Sequence, residues 1–123
     1  MKKGKIIPNG EVLKEHEMAT VIFLTEMSYD IEFIPKSNIK GIHTADIIMM
    51  GLEWEMKSPK GDGKWLIKNT FQKAAHQSEN IIIDLRRIKI KQDKCIEESE
   101  KQFRYSKRIK RLIIITKSKK VLE

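Results

Sequence analysis

Three residues stand out for the chemistry their side chains can do together: Asp46, Glu55 and Lys57. They fall in two short runs, residues 46–50 and 52–58, separated by Gly51. The runs read as a tight β-hairpin turning at Met50-Gly51, the length of turn that glycine favours between two strands. That register sets Met49 against Leu52, Ile48 against Glu53, Ile47 against Trp54 and Asp46 against Glu55. Opposed residues share a face, and alternation adds Lys57 to it while Trp54 and Met56 point the other way. A slip of one residue would scatter the group.

Two opposed carboxylates repel, so the pair calls for a compensating cation. A hard divalent ion, Mg²⁺ or Mn²⁺, suits it, because such ions accept one or two carboxylates and keep several waters. That combination stabilises charge on a phosphate and acidifies water, and Lys57 beside it would orient the water or neutralise the transition state. The inventory is one for phosphodiester hydrolysis. An ordinary surface salt-bridge cluster is the competing reading of the same three residues.

The rest of the chain must hold this hairpin in place. Residues 1–9 read as an arm. Apolar residues recur at helical spacing over 11–27, and residues 30–35 form a short strand stopped by Pro35. A polar loop over 36–44 precedes the hairpin, and a loop over 59–63 with two glycines follows it. Residues 65–77 read as a helix, 80–85 as a strand covered on both faces, 94–110 as a helix and 112–116 as a buried strand. Residues 117–123 form a polar tail. The order α-β-β-β-α-β-α-β predicts an α/β fold with a mixed central sheet flanked by helices, in one domain over 1–123.

Composition narrows the partners. The net charge is +8, but residues 1–85 carry 11 Lys/Arg and 12 Asp/Glu, whereas residues 86–123 carry 14 and 5. A basic last third suggests a surface facing a polyanion. Lys101, Arg104, Arg108 and Arg111 recur at spacings of three or four and predict one basic helix face, which Arg86 and Arg87 extend. Lys60 and Lys73 add charge near the hairpin. On the helix over 65–77, Lys73 pairs with Gln77 and Gln72 with His76 at four-residue spacing, and the second pair is preferred as a catalytic contribution. A single cysteine, Cys95, excludes an internal disulfide and a multi-cysteine zinc site, and reads as structural. Trp54 reads as core, His43 as a loop residue, and Trp65 as either a cap on the core or a platform for a base. No apolar run approaches a bilayer span, and no apolar signal core follows the basic start.

The stretches Ala45-Asp46-Ile47-Ile48 and Trp54-Glu55-Met56-Lys57-Ser58-Pro59 resemble the Asp…Glu-X-Lys core of the restriction-endonuclease-like superfamily. Together with residues 29–35 and 77–87, they make residues 15–115 resemble the C-terminal tRNA-cleaving domain of bacterial contact-dependent growth-inhibition toxins, and related nucleases of phage and mobile elements. The resemblance implies the restriction-endonuclease-like fold. It implies metal ligands at Asp46, Glu55 and the Met56 carbonyl, and a catalytic role for Lys57. It adds a first-helix glutamate, here Glu17, with Glu11, Glu15 and His16 as rivals. Ala45 stands where the superfamily usually has proline. The implied substrate is tRNA, with DNA as the alternative, and a nucleic-acid-binding module without turnover is the competing class. A toxin domain would be delivered as part of a larger protein, act in the bacterial cytoplasm, and be neutralised by an immunity protein.

Overall fold

The computed structural model describes residues 2–122. Among these, one seven-stranded sheet runs in sequence order: β1 (Ile6–Ile7), β2 (Ile31–Phe33), β3 (Ile47–Met49), β4 (Leu52–Lys57), β5 (Asn80–Asp84), β6 (Arg111–Ile115) and β7 (Val121–Leu122). The central strands β4, β5 and β6 are parallel, as are β1 and β2, while β2–β3, β3–β4 and β6–β7 are antiparallel. The helices are α1 (Glu15–Glu26), α2 (Leu66–Ala74) and α3 (Gln92–Tyr105). The expected mixed α/β fold with helices on both faces is what forms.

Alternation along the strands builds two cores. Ile82, Ile113, Ile115, Trp54 and Met56 pack on the α1 side with Val21, Phe23 and Leu24. Ile81, Ile83 and Ile114 face the other way, against Ile67, Phe71 and Ala74 of α2 and Cys95 of α3. The run Ile81-Ile82-Ile83 is thus buried on both faces, as a parallel central strand requires. Each such side chain contributes about 1.5–3 kcal/mol by leaving water. Cys95 sits in this core with its thiol toward the Ile90 carbonyl.

The hairpin has the expected register, with Ile47 opposite Trp54, Ile48 opposite Glu53 and Met49 opposite Leu52. Met50 and Gly51 both take positive φ, 55° and 74°, the mirror-image turn that matches strand twist.

Helix α2 and strand β2 are shorter than the expected 65–77 and 30–35, and four larger departures change how the chain is tied together. The arm is tied down: Ile6 and Ile7 pair with β2, and Gly4 donates to the Thr25 carbonyl where a Cβ would overlap the Tyr29 carbonyl. The tail carries β7, paired with β6. Helix α1 starts at Glu15 rather than at residue 11, where the Glu17 side chain accepts the Lys14 N–H and closes the first turn. Helix α3 ends at Tyr105 instead of residue 110, because the Ser106 hydroxyl accepts the N–H groups of Arg108 and Ile109 and turns the chain. The continuous basic face therefore does not exist. Lys101 and Arg104 remain on α3, Arg108 lies in the turn, and Arg111 is in β6 donating to the Asn80 side chain.

Candidate active site

Asp46 lies one residue before β3, at the open end of the hairpin, and Glu55 and Lys57 lie on β4. Both carboxylates are buried, at 4% and 3% exposure. Asp46 is held at both oxygens: Oδ2 accepts the Met56 N–H at 2.8 Å, and Oδ1 accepts Lys36 Nζ at 2.8 Å. Its own N–H donates to the Trp54 carbonyl at 2.9 Å, which fixes the backbone beside the hairpin. Glu55 Oε2 pairs with Lys57 Nζ at 3.2 Å. Glu55 Oε1 is buried with no hydrogen-bond partner among the described residues.

These groups line one cavity of about 360 Å³. Helix α1 brings Glu17 and His16 to it, the loop after β2 brings Lys36, and α2 with the turn after it brings Thr70, Lys73 and Gln77. Gln77 Oε1 is a second buried acceptor without a partner among the described residues. The cavity is therefore bounded by acceptor oxygens deep inside and by ammonium groups around them.

Burial pushes the Glu55 carboxyl up from its ordinary 4.5 to about 7, with the Asp46 charge adding to the rise and Lys57 opposing it. Partial burial pulls the Lys36 ammonium down. The hydrogen bond and charge of Asp46, with Glu17 and Glu55 behind it, outweigh that and leave Lys36 above its ordinary value. A carboxyl raised by burial beside a paired carboxylate marks a site short of positive charge at its deepest point.

Of the residues picked from sequence, Asp46, Glu55, Met56, Lys57, Glu17 and Lys73 meet in this cavity. Glu17 combines two positions, since the same carboxylate closes the first turn of α1. Its rival His16 also lines the cavity, whereas Glu11 lies before α1 and accepts the Lys36 N–H.

Several others are elsewhere. Gln72 and His76 line a separate cleft between α2 and α3, so Lys73 and Gln77 are the pair that helical spacing delivers to the carboxylates. Arg86 is bound to buried Asp84 at 2.7 Å and donates to the Ala19 carbonyl, with its guanidinium over Phe23. Arg87 donates to the Ser58 carbonyl at 2.6 Å. Neither forms an extension of a basic helix face. Lys60 is exposed on the loop after β4, and Lys101 lines a groove with Lys64 and Lys94. Trp54 is core, as expected, with its indole N–H on the Met49 carbonyl. Trp65 is 57% exposed and caps no core, and Lys64 and Lys68 stand over its ring.

Sequence reading missed Lys36. The nearest signal was its place directly after Pro35, where strand β2 runs out toward the hairpin, but nothing in the loop marks the lysine as turned inward.

Known proteins add an independent comparison. Among curated proteins, none matches the chain. A chain of the solved CdiA-CT/CdiI toxin and immunity complex from Burkholderia pseudomallei has the same fold, with a TM-score of 0.67 at 14% identity, covering 97% of each chain. The family model for the contact-dependent growth inhibition CdiA C-terminal domain matches residues 43–121, a span that includes Asp46, Glu55, Lys57, Lys73 and Gln77 and leaves out Glu17 and Lys36. With well over half of its length in that match, the chain belongs to the contact-dependent growth inhibition CdiA C-terminal domain family.

Proposed function

We propose that the chain is the toxic nuclease domain of a larger contact-dependent inhibition protein, and that it hydrolyses phosphodiester bonds with a divalent cation at Asp46 and Glu55. The observation that carries this reading is Glu55 Oε1, a buried carboxylate oxygen with no hydrogen-bond partner among the described residues, beside a second buried carboxylate. Leaving such an atom unpaired is expensive, and a cation removes the cost. The donors are all hard oxygens, which suits Mg²⁺ or Mn²⁺ over softer metals. Among the described residues no group of three or more His, Cys, Asp or Glu stands together as a metal cage. The ion would therefore be held by Asp46, Glu55 and the Met56 carbonyl, with water completing its shell.

When bound, the ion supplies charge neutralisation at a phosphate and acidification of a water. The protein supplies the rest. Lys57, held by Glu55 and about one-quarter exposed, presents its ammonium to charge developing on the phosphate. Lys73 and Lys36 ring the same cavity and bind the flanking negative charge. Met56 N–H and Lys36 fix Asp46 in one rotamer, so the carboxylates do not reorganise as substrate arrives.

The family and the resemblance of the hairpin to tRNA-cleaving domains support tRNA as the substrate, and the basic last third supports a polyanion. Entry into a target bacterium and action in its cytoplasm follow from the same reading. The solved relative is a toxin and immunity complex. By analogy an immunity protein, acidic where it covers the basic surface, is the proposed partner.

Cleavage assays on tRNA and on duplex DNA, each with Mg²⁺ or Mn²⁺ and with EDTA, test the proposal. Cation-dependent loss of intact tRNA is expected. Cleavage of DNA instead would assign a DNA endonuclease. Binding of either without cleavage would leave a nucleic-acid-binding module and end the enzyme reading.

A further inference from the structure

Around α2 from the carboxylates lies the cleft of about 540 Å³ that holds Gln72 and His76. Its floor is apolar, made by Phe71 and Ile109, at 2% and 5% exposure. Its rim is polar and planar. Arg108 Nη1 lies 3.0 Å from His76 Nδ1. A guanidinium has only donors, so the imidazole nitrogen is the acceptor in this contact. Gln72 and Gln102 contribute amides, and Tyr105, 74% exposed, closes α3 beside them. The turn that presents Arg108 is preorganised by the Ser106 hydroxyl.

The electrostatics of this cleft select among ligands. Helices α2 and α3 both end here, at Ala74 and Tyr105, and helix C-termini carry partial negative charge. Arg108 and Lys107 carry full positive charge at the rim, so a backbone phosphate belongs there and not on the floor between the helix ends. The floor favours a neutral, flat group with N–H donors and acceptors on its edge. An aromatic ring, a guanidinium plane and two amides over an apolar floor are the means by which unstacked bases are bound.

Position supplies the link to the active site. Lys73 and Gln77 face the carboxylate cavity, while Gln72 and His76, one residue earlier in each case, face the cleft. A helix with side chains is about 10–12 Å across, so a strand leaving the carboxylates over the end of α2 arrives here.

We infer that this cleft binds an unstacked nucleobase of the nucleic acid that the carboxylate site cleaves, with Tyr105 as its stacking platform and Gln72 and Gln102 reading its edge. The inference rests on the nuclease reading for the identity of the ligand.

The test is binding of a fluorescein-labelled single-stranded oligoribonucleotide, and of the same sequence as a blunt duplex, measured by anisotropy in EDTA across a salt series. Tyr105→Ala removes an exposed side chain, so the fold is retained. It is expected to weaken single-strand binding about tenfold. It should leave duplex binding and the salt slope unchanged, because no ionic contact is lost. Tyr105→Trp should restore affinity. Equal affinity of Tyr105→Ala and the parent chain for the single strand, or an equal loss on single strand and duplex, would overturn the inference. Cleavage with no Tyr105 effect removes the base site and leaves the nuclease. A Tyr105 effect without cleavage of any nucleic acid removes the nuclease and leaves the base site.

Discussion

The Met56 N–H donates to Asp46 Oδ2 at 2.8 Å, so a backbone amide of one hairpin strand clamps the carboxylate at the end of the other. Stability and proposed ion binding therefore use different features of Asp46. Asparagine keeps an acceptor for that amide but carries no charge, whereas alanine leaves a buried donor unsatisfied. Asp46→Ala is expected to lower stability by about 1–3 kcal/mol, and Asp46→Asn by much less. Both should lose cation-dependent cleavage. Urea unfolding beside a cleavage assay checks the split; equal stability of the two variants would remove the clamp as a structural contribution.

Glu55 makes stability depend on pH in an unusual direction. Its carboxyl is raised by burial from 4.5 to about 7, so between those values the folded chain holds a proton that the unfolded chain releases. Stability contributed by that proton is present below pH 4.5 and is lost as pH rises through 7. Glu55→Gln never carries the buried charge. In EDTA its melting temperature should match the parent near pH 5 and exceed it near pH 8, by up to about 3 kcal/mol of stability. Added Mn²⁺ should raise the parent's melting temperature at pH 8 and leave Glu55→Gln where it was. Parallel pH curves for the two proteins would contradict the shift.

Lys57 is one-quarter exposed and bonded only to Glu55 Oε2 among the hydrogen bonds and ion pairs described. Truncating it leaves Glu55 Oε2 without its cation, but this carboxyl, already raised to about 7, takes up a proton in place of staying charged. Lys57→Ala is expected to abolish cleavage, by a factor on the order of 10² or more, while leaving folding largely intact. It also removes the cation that holds the Glu55 carboxyl down, so the pH at which Glu55 titrates should rise further. Cleavage at the parent rate would withdraw the catalytic assignment.

What was legible in the sequence was what short-range geometry dictates. Gly51 admits the positive φ of a two-residue turn, and from that turn the pairing of Ile47 with Trp54 follows by counting. The apolar run at Ile81 announces a strand covered on both faces. Glu17 and Lys73 reach the cavity from two helices, which periodicity also permits. Illegible were the contacts made by long side chains across large separations. Lys36 turns inward to Asp46 from a loop whose composition reads as solvated. Ser106 breaks what looked like one basic helix, because a hydroxyl competing for backbone N–H groups carries no mark in the apolar pattern. At Gln72 and His76 helical spacing supplied two equivalent pairs, and only the packing of α2 on the sheet decides which faces the carboxylates.

Arg86 shows how a basic residue can be absorbed by the fold. Its guanidinium lies 2.7 Å from Asp84 Oδ2, which is 2% exposed and also accepts the Thr20 hydroxyl at 2.7 Å from α1. The same guanidinium reaches the Ala19 carbonyl and covers Phe23. This cluster ties the end of β5 to the helix that brings Glu17 to the cavity. Removing the guanidinium leaves a buried carboxylate with no countercharge, held only by the Thr20 hydroxyl and the backbone N–H of residue 86, so Arg86→Ala should cost about 3 kcal/mol. Arg86→Lys keeps the charge but loses the planar fork, and should also be destabilised. Neither should change the salt dependence of tRNA binding when folded protein is compared. Lys73→Ala, exposed on α2, should do the reverse: unchanged unfolding midpoint, and a salt slope lower by about one. Loss of nucleic-acid affinity in Arg86→Lys at unaltered stability would return Arg86 to the binding surface.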